Sequence, residues 1–268
     1  LPDFDHNPAA HLADHNGRTA LHEAADRGLV EVVRRLCDQG ASVDARDTGG
    51  ATPLLLAAEA GHVKAVQQLL AAGADPSARA EGGFGALHDI AALAPEAMSD
   101  DRLAIVEALI AAGVDLDLAD DSGKTPLCWT ASYDNLPVAR RLVERGDTPD
   151  ALNGYALREA AFFGYADLAG LLLAAGARPD PAGDGGEDSP LMIAVREDEF
   201  EVVRVLLDHG AGLERAGIDG ETALLVAARR GHDDVVAELL RRGADADRVD
   251  DYGNTVASWA ERRALRQK

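Results

Sequence analysis

Apolar and polar positions alternate along the chain in a unit that contains two short apolar segments. In the unit that begins at Thr52, the first segment runs from Leu54 to Ala60 and the second from Val63 to Ala71, with Gly61 between them. Segments of this length and composition predict helices, and the Ala-rich character of the first favours close helix packing. A matching second helix is predicted at Val235 to Arg241.

The unit recurs along the chain with two landmarks in register. The glycine after the second segment recurs at spacings of 33, 40, 33, 30, 34 and 33 residues, at Gly40, Gly73, Gly113, Gly146, Gly176, Gly210 and Gly243. The second landmark precedes the first segment and reads Thr19-Ala20-Leu21-His22, Thr52-Pro53-Leu54, Thr125-Pro126-Leu127, Ser189-Pro190-Leu191 and Thr222-Ala223-Leu224. Register held over seven units predicts a repeat array.

Each unit carries residues suited to begin and end its helices. Thr or Ser before the first helix accepts a hydrogen bond from a free backbone N–H, which contributes about 1 kcal/mol, and Pro suits the first helical position. We expect left-handed glycines to end the first helices, at Gly28, Gly61, Gly164 and Gly231. Polar turns then lead to the next unit.

These residues resemble the ankyrin-repeat family, whose signature is T-P-L-H-x-A on a 33-residue period. The resemblance covers about residues 14 to 262 and includes seven full units and a terminal half-unit from Gly253 to Ala260. It implies an all-α repeat solenoid, a stack of helix-turn-helix units with short β-turn or hairpin fingers. We expect an N-terminal cap segment at residues 1–13, the repeat array at 14–248, and a capping half-repeat with a basic end at 249–268.

Several units depart from the family pattern. Unit three is about seven residues longer than the period, with the insertion near residues 93–101 between its helices. Units four and six have Asp134 and Asp198 in place of the inter-helix glycine. Unit five is three residues short, which predicts a contracted turn near Asn153-Gly154. This irregularity favours a natural protein over a consensus design.

The charge of the chain narrows the classes of partner. The formal net charge is -21, and residues 1–200 contribute -19 of it. This balance argues against nucleic acid, which requires clustered Lys and Arg, and against an anionic membrane surface. No apolar run approaches the roughly 20 residues of a membrane span. Arg outnumbers Lys 23 to 3 and there are 52 Ala, a bias that we associate with bacterial coding.

The cysteines and the N-terminal sequence bear on the compartment. The two cysteines, Cys37 and Cys128, fall in units one and four, beyond the roughly 7 Å reach of a disulfide, so we expect two free and largely buried thiols. Leu1 to Ala13 lack the basic start and apolar stretch of a signal peptide. We expect a cytoplasmic protein, with the periplasm as the alternative if a signal has been removed.

Histidines are the first candidates for a chemical site. The resemblance gives four of them structural positions: His22, His62, His88 and His232. His11 and His15 have the i, i+4 spacing that suits a metal on a helix, but His15 falls in the Asp14-to-Gly17 turn, where helical geometry is lost. We therefore expect no metal site.

The sequence also lacks the motifs of other catalytic sites. The glycine-rich stretches at 82–85 and 183–186 lack the G-K-[ST] ending of a phosphate-binding loop. No serine lies in a G-x-S-x-G elbow, and neither cysteine has a histidine partner in the repeat geometry. Paired acids lie in turns or at helix starts, where they favour the positive end of the helix dipole. We expect neither an enzyme nor a cofactor.

The exposed surface remains as the functional candidate. The resemblance implies that partners bind to the turn tips and to the exposed residues of the inner helices, which form a concave face. Transferred position by position, it assigns partner contact to Arg18, Asp26, Arg27, Glu59, Phe84, Lys124, Ser132, Tyr133, Phe162, Phe163, Arg196, Glu197, Glu221, Arg229 and Arg230.

Aromatic residues concentrate in the middle of the array. Seven of the eleven aromatics lie between Phe84 and Tyr165, and binding hot spots favour aromatics near the centre of an interface. Two interpretations stay open for Phe84, Tyr133, Phe162 and Phe163: contact with a partner, or packing into gaps of the repeat stack. We expect Trp129 and Tyr155 to belong to the core.

The sequence favours a non-catalytic module, monomeric alone, that binds a protein partner through its concave face. The acidic balance favours a partner with a basic patch. One form of this hypothesis is an antidote that covers a bacterial toxin or nuclease, and another is a scaffold for an enzyme. An alternative of another class is a small-ligand or metal-binding accessory protein that uses the acidic turn of unit six, Asp184 to Asp188, and the N-terminal histidines. We expect the basic end, Arg262 to Lys268, to be a solvated helix end.

Overall fold

The computed structural model describes residues 12–146, 149–181 and 188–266. Within these ranges the chain forms fifteen α-helices, and it divides into two compact units, Leu1–Asp147 and Thr148–Lys268. Strand pairing among the described residues is confined to two isolated bridges, Ala13 with Thr19 and Arg79 with Gly85. The predicted N-terminal cap segment lies outside the described residues except for its last two positions.

The first unit consists of four helix pairs. Its helices are α1 (Ala20–Asp26), α2 (Val30–Asp38), α3 (Pro53–Glu59), α4 (Val63–Ala71), α5 (Ala86–Ala91), α6 (Asp100–Ala111), α7 (Pro126–Ser132) and α8 (Leu136–Glu144). The odd-numbered inner helices pack side by side, and so do the even-numbered outer helices. The predicted helix from Val63 to Ala71 is confirmed at both ends, and its partner begins and ends one residue earlier than predicted.

The second unit continues the same pattern with three pairs and a last single helix. Its helices are α9 (Ala151–Phe163), α10 (Ala166–Ala174), α11 (Pro190–Glu197), α12 (Phe200–Asp208), α13 (Ala223–Arg230), α14 (Asp233–Arg241) and α15 (Val256–Arg266). Inner helices α9, α11, α13 and α15 pack in sequence. The predicted fold class, an all-α stack of helix-turn-helix units, is confirmed. The division into a cap, an array and a capping half-repeat stays a prediction.

The core follows from the composition of the inner helices. The leucine two residues after the helix cap is at most 2% exposed in the five units with this landmark, at Leu21, Leu54, Leu127, Leu191 and Leu224, and in unit three, where Leu87 follows the cap Gly85. Burying one such side chain contributes about 1.5–3 kcal/mol. Alanines on the same helices are also buried and allow the helices to approach closely.

Hydroxyl caps form in some of the units as the landmark predicts, whereas Thr125 makes no side-chain cap hydrogen bond. The hydroxyl oxygens of Thr52 and Ser189 accept hydrogen bonds from the backbone N–H three residues later, at 3.4 and 3.2 Å. In the two units with His in the signature, the ring takes over part of this role. The Nδ1 atoms of His22 and His88 accept from the backbone N–H of the residue three positions earlier, at 3.1 Å in each case.

The same two rings join neighbouring repeats. Because Nδ1 accepts a hydrogen bond, the proton lies on Nε2, which donates to the carbonyl of Ala51 from His22 at 3.1 Å and to that of Lys124 from His88 at 3.3 Å. Burial lowers the pKa of both histidines. His62 bonds the carbonyl of Asp26 in the preceding repeat, at 3.0 Å. These rings therefore hold the stack together.

The inter-helix turns require a left-handed residue. The four predicted glycines adopt positive φ angles, between 64° and 87°. Asp134 and Asp198 adopt the same conformation with φ of 54° and 64°, which Asp tolerates better than most residues with a side chain. In unit five the predicted contracted turn near Asn153-Gly154 lies inside a helix, since α9 already begins at Ala151.

A buried amide fixes the insertion of unit three. The inserted stretch contains a short 3₁₀ turn, Pro95–Ala97, and ends at Ser99, which caps α6. Asn135 is buried and its Nδ2 donates to the carbonyls of Ile90 at 2.9 Å and Leu93 at 3.2 Å. The loop is therefore bonded to the next repeat.

Cys37 and Cys128 are both thiols that form no disulfide, and only Cys128 is fully buried. Cys128 lies in the core, whereas Cys37 is half-buried on α2. Burial raises the pKa of the Cys37 thiol, so the expectation of largely buried thiols is met in full by Cys128 and in part by Cys37.

Candidate partner-binding surface

Aromatic side chains form a continuous strip on the inner-helix face of the first unit. We call Phe84, Trp129 and Tyr133 the aromatic strip. The ring centroids of Phe84 and Trp129 are 5.2 Å apart, and those of Trp129 and Tyr133 are 6.2 Å apart in a stacked arrangement. The Lys124 Nζ lies 4.7 Å from the centroid of the Trp129 ring. Three predicted contact residues thus meet around a tryptophan that had not been assigned to the surface.

Trp129 corrects a prediction from the sequence. It was expected in the core, but it is half-buried and its Nε1 donates to the Asp120 carboxylate at 2.9 Å. The signal was present in the register, because Trp129 stands four residues after the cap, as Glu23 and Asp89 do on α1 and α5. The acids on α1 and α5 indicate that this position borders the surface in the first unit, although Val226 at the same register on α13 is fully buried.

Acidic side chains lie beside the strip on the adjacent inner helices. Glu59 is exposed at the end of α3, and Asp89 is half-buried on α5. Burial, with the negative charge of Glu59 as the smaller cause, raises the pKa of Asp89 to about 6. Asp89 was not among the predicted site residues, since its spacing alone does not reveal how deeply it is enclosed.

Charged residues at the start of the array pair with each other. The Arg18 Nη2 lies 2.8 Å from the Asp26 carboxylate, and Arg27 pairs with Glu23 on the same helix. Both pairs are partly exposed, so each contributes about 0–1 kcal/mol to stability. Ser132, another of the contact residues predicted from the sequence, is half-buried at the end of α7.

The second unit presents a separate aromatic group. Phe162 and Phe163, at the end of α9, are 48% and 44% exposed. Their rings meet edge to face at 4.9 Å, and Phe163 stacks on Tyr165 at 5.5 Å. Roughly half of each phenylalanine is therefore available to a partner, and the other half packs locally.

Ion pairs occupy the neighbouring inner-helix positions of the second unit. Arg196 pairs with Asp188, and Arg229 binds both oxygens of Glu221 at 2.7 and 2.9 Å. Each pair joins the residue before the cap to the residue eight positions later. Glu197 and Arg230 are exposed.

The basic end differs from its expectation. Arg263 binds the Asp233 carboxylate at 3.0 Å and the Ala228 carbonyl at 3.4 Å. The prediction of a solvated helix end is therefore wrong for this residue, because its side chain reaches back to the preceding repeat.

The metal-binding alternative receives no support from the residues in view. Most of the acidic turn of unit six lies outside the described residues, as does His11. In the remaining ranges, no group of three or more His, Cys, Asp or Glu side chains is placed to hold a metal ion. No described helix has the length and apolarity needed to cross a membrane.

Comparison with known proteins identifies the family. The family model for ankyrin repeats matches residues 4–80, 96–183 and 157–250. The chain belongs to the ankyrin-repeat family. Ankyrin repeats generally mediate protein–protein interaction, and members are typically non-enzymatic interaction modules.

Individual relatives match parts of the chain. An ankyrin repeat-containing protein of Treponema pallidum is 34% identical over 116 residues, which are 42% of this chain and 39% of that protein. The E3 ubiquitin-protein ligase Ufd4 of Drosophila melanogaster is 34% identical over 90 residues, 33% of this chain and 3% of the ligase. The chain thus spans well under half of these relatives.

A solved structure matches most of the chain. The human ASB11 ankyrin repeat domain is 26% identical, with a TM-score of 0.67, over 85% of this chain and 99% of that domain. The likeness supports the helix-pair architecture described above.

Proposed function

We propose that the chain binds a partner protein through the inner-helix face of its first unit and performs no catalysis itself. The observation that carries this proposal is the aromatic strip beside Glu59 and Asp89. Aromatic anchors surrounded by polar residues are typical of binding hot spots. We propose further that the partner presents a basic patch to this face.

The exposure of the strip supports partner contact over packing. Tyr133 is 41% exposed, although its ring already stacks on Trp129. Phe84 and Trp129 are half-buried, so their positions are fixed before a partner arrives. Preorganised rings lose little side-chain entropy on binding, which leaves more of the contact energy as affinity.

The charges beside the strip favour a cationic partner. A carboxyl group with the raised pKa of Asp89 destabilises the folded chain at neutral pH, and a cation from a partner would relieve that penalty. The net charge of -21 would also speed the approach of a basic protein at low salt.

The second unit provides a further contact candidate in Phe162 and Phe163. Their exposed edges would add apolar contact, whereas the ion pairs of Arg196 and Arg229 hold those side chains in place. The remaining predicted contact residues of this unit, Glu197 and Arg230, stay proposals of the same kind.

The antidote hypothesis is one specific form of this proposal. In this form the partner is a toxin or nuclease, and the aromatic strip with the neighbouring acids Glu59 and Asp89 covers its basic active site. A scaffold role makes the partner an enzyme that stays active when bound. The identity and activity of the captured partner distinguish the two forms.

A capture experiment tests the proposal. The full chain is immobilised and exposed to lysate of its source at low and high salt, and retained proteins are identified by mass spectrometry. A parallel sample carries Phe84→Ala with Tyr133→Ala, and a control carries Val32→Ala on the outer helix α2, where Val32 is 43% exposed. We expect one stoichiometric, salt-released partner that the control retains and the double variant loses. Equal capture by all three samples would refute the role of the strip.

A further inference from the structure

The last half-repeat lacks acids that the repeats before it supply to their arginines. Arg196, Arg229 and Arg262 occupy the same register position on α11, α13 and α15. The first two are neutralised by Asp188 and Glu221, each located just before the helix cap. At the third, the corresponding residue is Asn254.

Asn254 also occupies the Asp250 carboxylate, which would otherwise be an acceptor for the indole N–H of Trp259. It is buried, and its Nδ2 donates to the Asp250 Oδ2 at 2.6 Å. In unit four, Asp120 lies at the position that corresponds to Asp250, and its carboxylate accepts a hydrogen bond from the indole N–H of Trp129. The Trp259 Nε1 atom has no hydrogen-bond partner among the described residues. Asn254 therefore accounts both for the missing carboxylate beside Arg262 and for the missing acceptor of the Trp259 indole N–H.

The consequence is a cationic cleft at the end of a strongly acidic chain. Arg229, Trp259, Arg262 and Arg263 line a cleft of about 290 Å³. Glu221 neutralises Arg229 and Asp233 neutralises Arg263. The guanidinium carbon of Arg262 lies 4.9 Å from the Trp259 ring centroid. Within the described part of the chain no carboxylate forms a hydrogen-bonded ion pair with Arg262, and Asp250 interacts with it only by electrostatic attraction.

We propose that this cleft binds a carboxylate on an acidic segment of a partner protein, which completes the ion pair of Arg262. The neighbouring repeats indicate the chemistry, because both fill the equivalent position with a carboxylate. The planar guanidinium matches a carboxylate in a two-point contact, and the stacked indole holds it from the other side. This site is distinct from the acidic face of the first unit and takes a ligand of opposite charge.

The two tryptophans of the chain supply a direct test. The full chain is labelled with ¹⁵N and titrated with a capped hexaglutamate peptide, and the indole N–H signals are assigned with Trp259→Phe. We expect the Trp259 signal to move in a saturable manner while the Trp129 signal stays in place. A Trp259 signal that does not move, or that moves together with Trp129, would overturn the proposal.

Variants and a second anion distinguish a site from bulk attraction. We expect Arg262→Gln to weaken binding of the labelled peptide at least tenfold, and Arg204→Gln, which removes the same charge from the outer helix α12, to change it less than twofold. Equal losses in both variants, or an equal response to inorganic phosphate, would contradict a carboxylate site. Because no partner protein takes part, the result does not depend on the proposed function.

Discussion

Removing the charge of Asp89 should stabilise the folded chain at neutral pH. Asp89 lies half-buried on α5 near Glu59, and its pKa is raised from 3.8 to about 6. One pKa unit corresponds to about 1.36 kcal/mol. An ionised Asp89 therefore destabilises the folded state by about 3 kcal/mol, and Asp89→Asn should recover about 1–3 kcal/mol at pH 8.

The sign of the effect fixes its pH dependence. Since the folded state holds the Asp89 proton more tightly than the unfolded state, the contribution of Asp89 to stability falls as pH rises from about 4 to 6 and then levels off. The penalty at pH 5 is about half its value at pH 8. The advantage of Asp89→Asn should therefore shrink as the pH is lowered.

Urea unfolding at pH 5 and pH 8 measures both quantities. A matched control, Glu144→Gln, removes a carboxylate from an exposed position at the end of α8, and should change the free energy of unfolding by less than about 0.5 kcal/mol. No gain from Asp89→Asn at pH 8, or an equal gain at both pH values, would show that the folded chain does not raise the pKa of Asp89. A gain together with weaker partner binding would show that the acid is kept for function.

Three further predictions follow from the packing of single groups. Phe162→Ala with Phe163→Ala should weaken partner binding while the melting temperature falls by only a few degrees, and a large fall would place both rings in the core. Because burial lowers the pKa of His22 and His88, unfolded chains take up these protons first, so the contribution of the two rings to the free energy of unfolding should decrease as pH falls below about 6.5. His22→Gln with His88→Gln should flatten that dependence, and an unchanged slope would exclude the two rings. Asn135→Ala should lower the free energy of unfolding by about 1–3 kcal/mol, because carbonyls of the insertion lose their donor; urea unfolding would show no change if the loop is held by other contacts.

The repeat architecture was accessible from the sequence because it rests on local physics repeated many times. Caps such as Thr52, left-handed glycines such as Gly61 and buried leucines such as Leu54 each act within one unit. A weak or unusual signal in one unit is therefore compensated by clear signals at the same positions of the other units. Asp134 replaces the inter-helix glycine of unit four and adopts the same left-handed conformation, so the repeat register is kept even where the residue differs.

The site was less accessible because its properties depend on neighbouring repeats. Whether Trp129 faces the core or the surface depends on how α5 and α7 pack. The raised pKa of Asp89 depends mainly on its burial among the packed inner helices, and to a smaller extent on Glu59, thirty residues earlier. The pairs formed by Arg196 and Arg229 across eight positions could have been found by comparing charges between repeats, and the same comparison singles out Asn254.

The affinity of the captured partner for three forms of the full chain shows whether the aromatic strip is the contact surface. Isothermal titration calorimetry compares the unmodified chain with the variant that carries Phe84→Ala and Tyr133→Ala, and with Val32→Ala. Hot-spot aromatics contribute at least about 2 kcal/mol, so the account predicts roughly a thirtyfold weaker affinity for the double variant and an unchanged affinity for the control. Equal affinities for all three forms would show that the partner binds elsewhere.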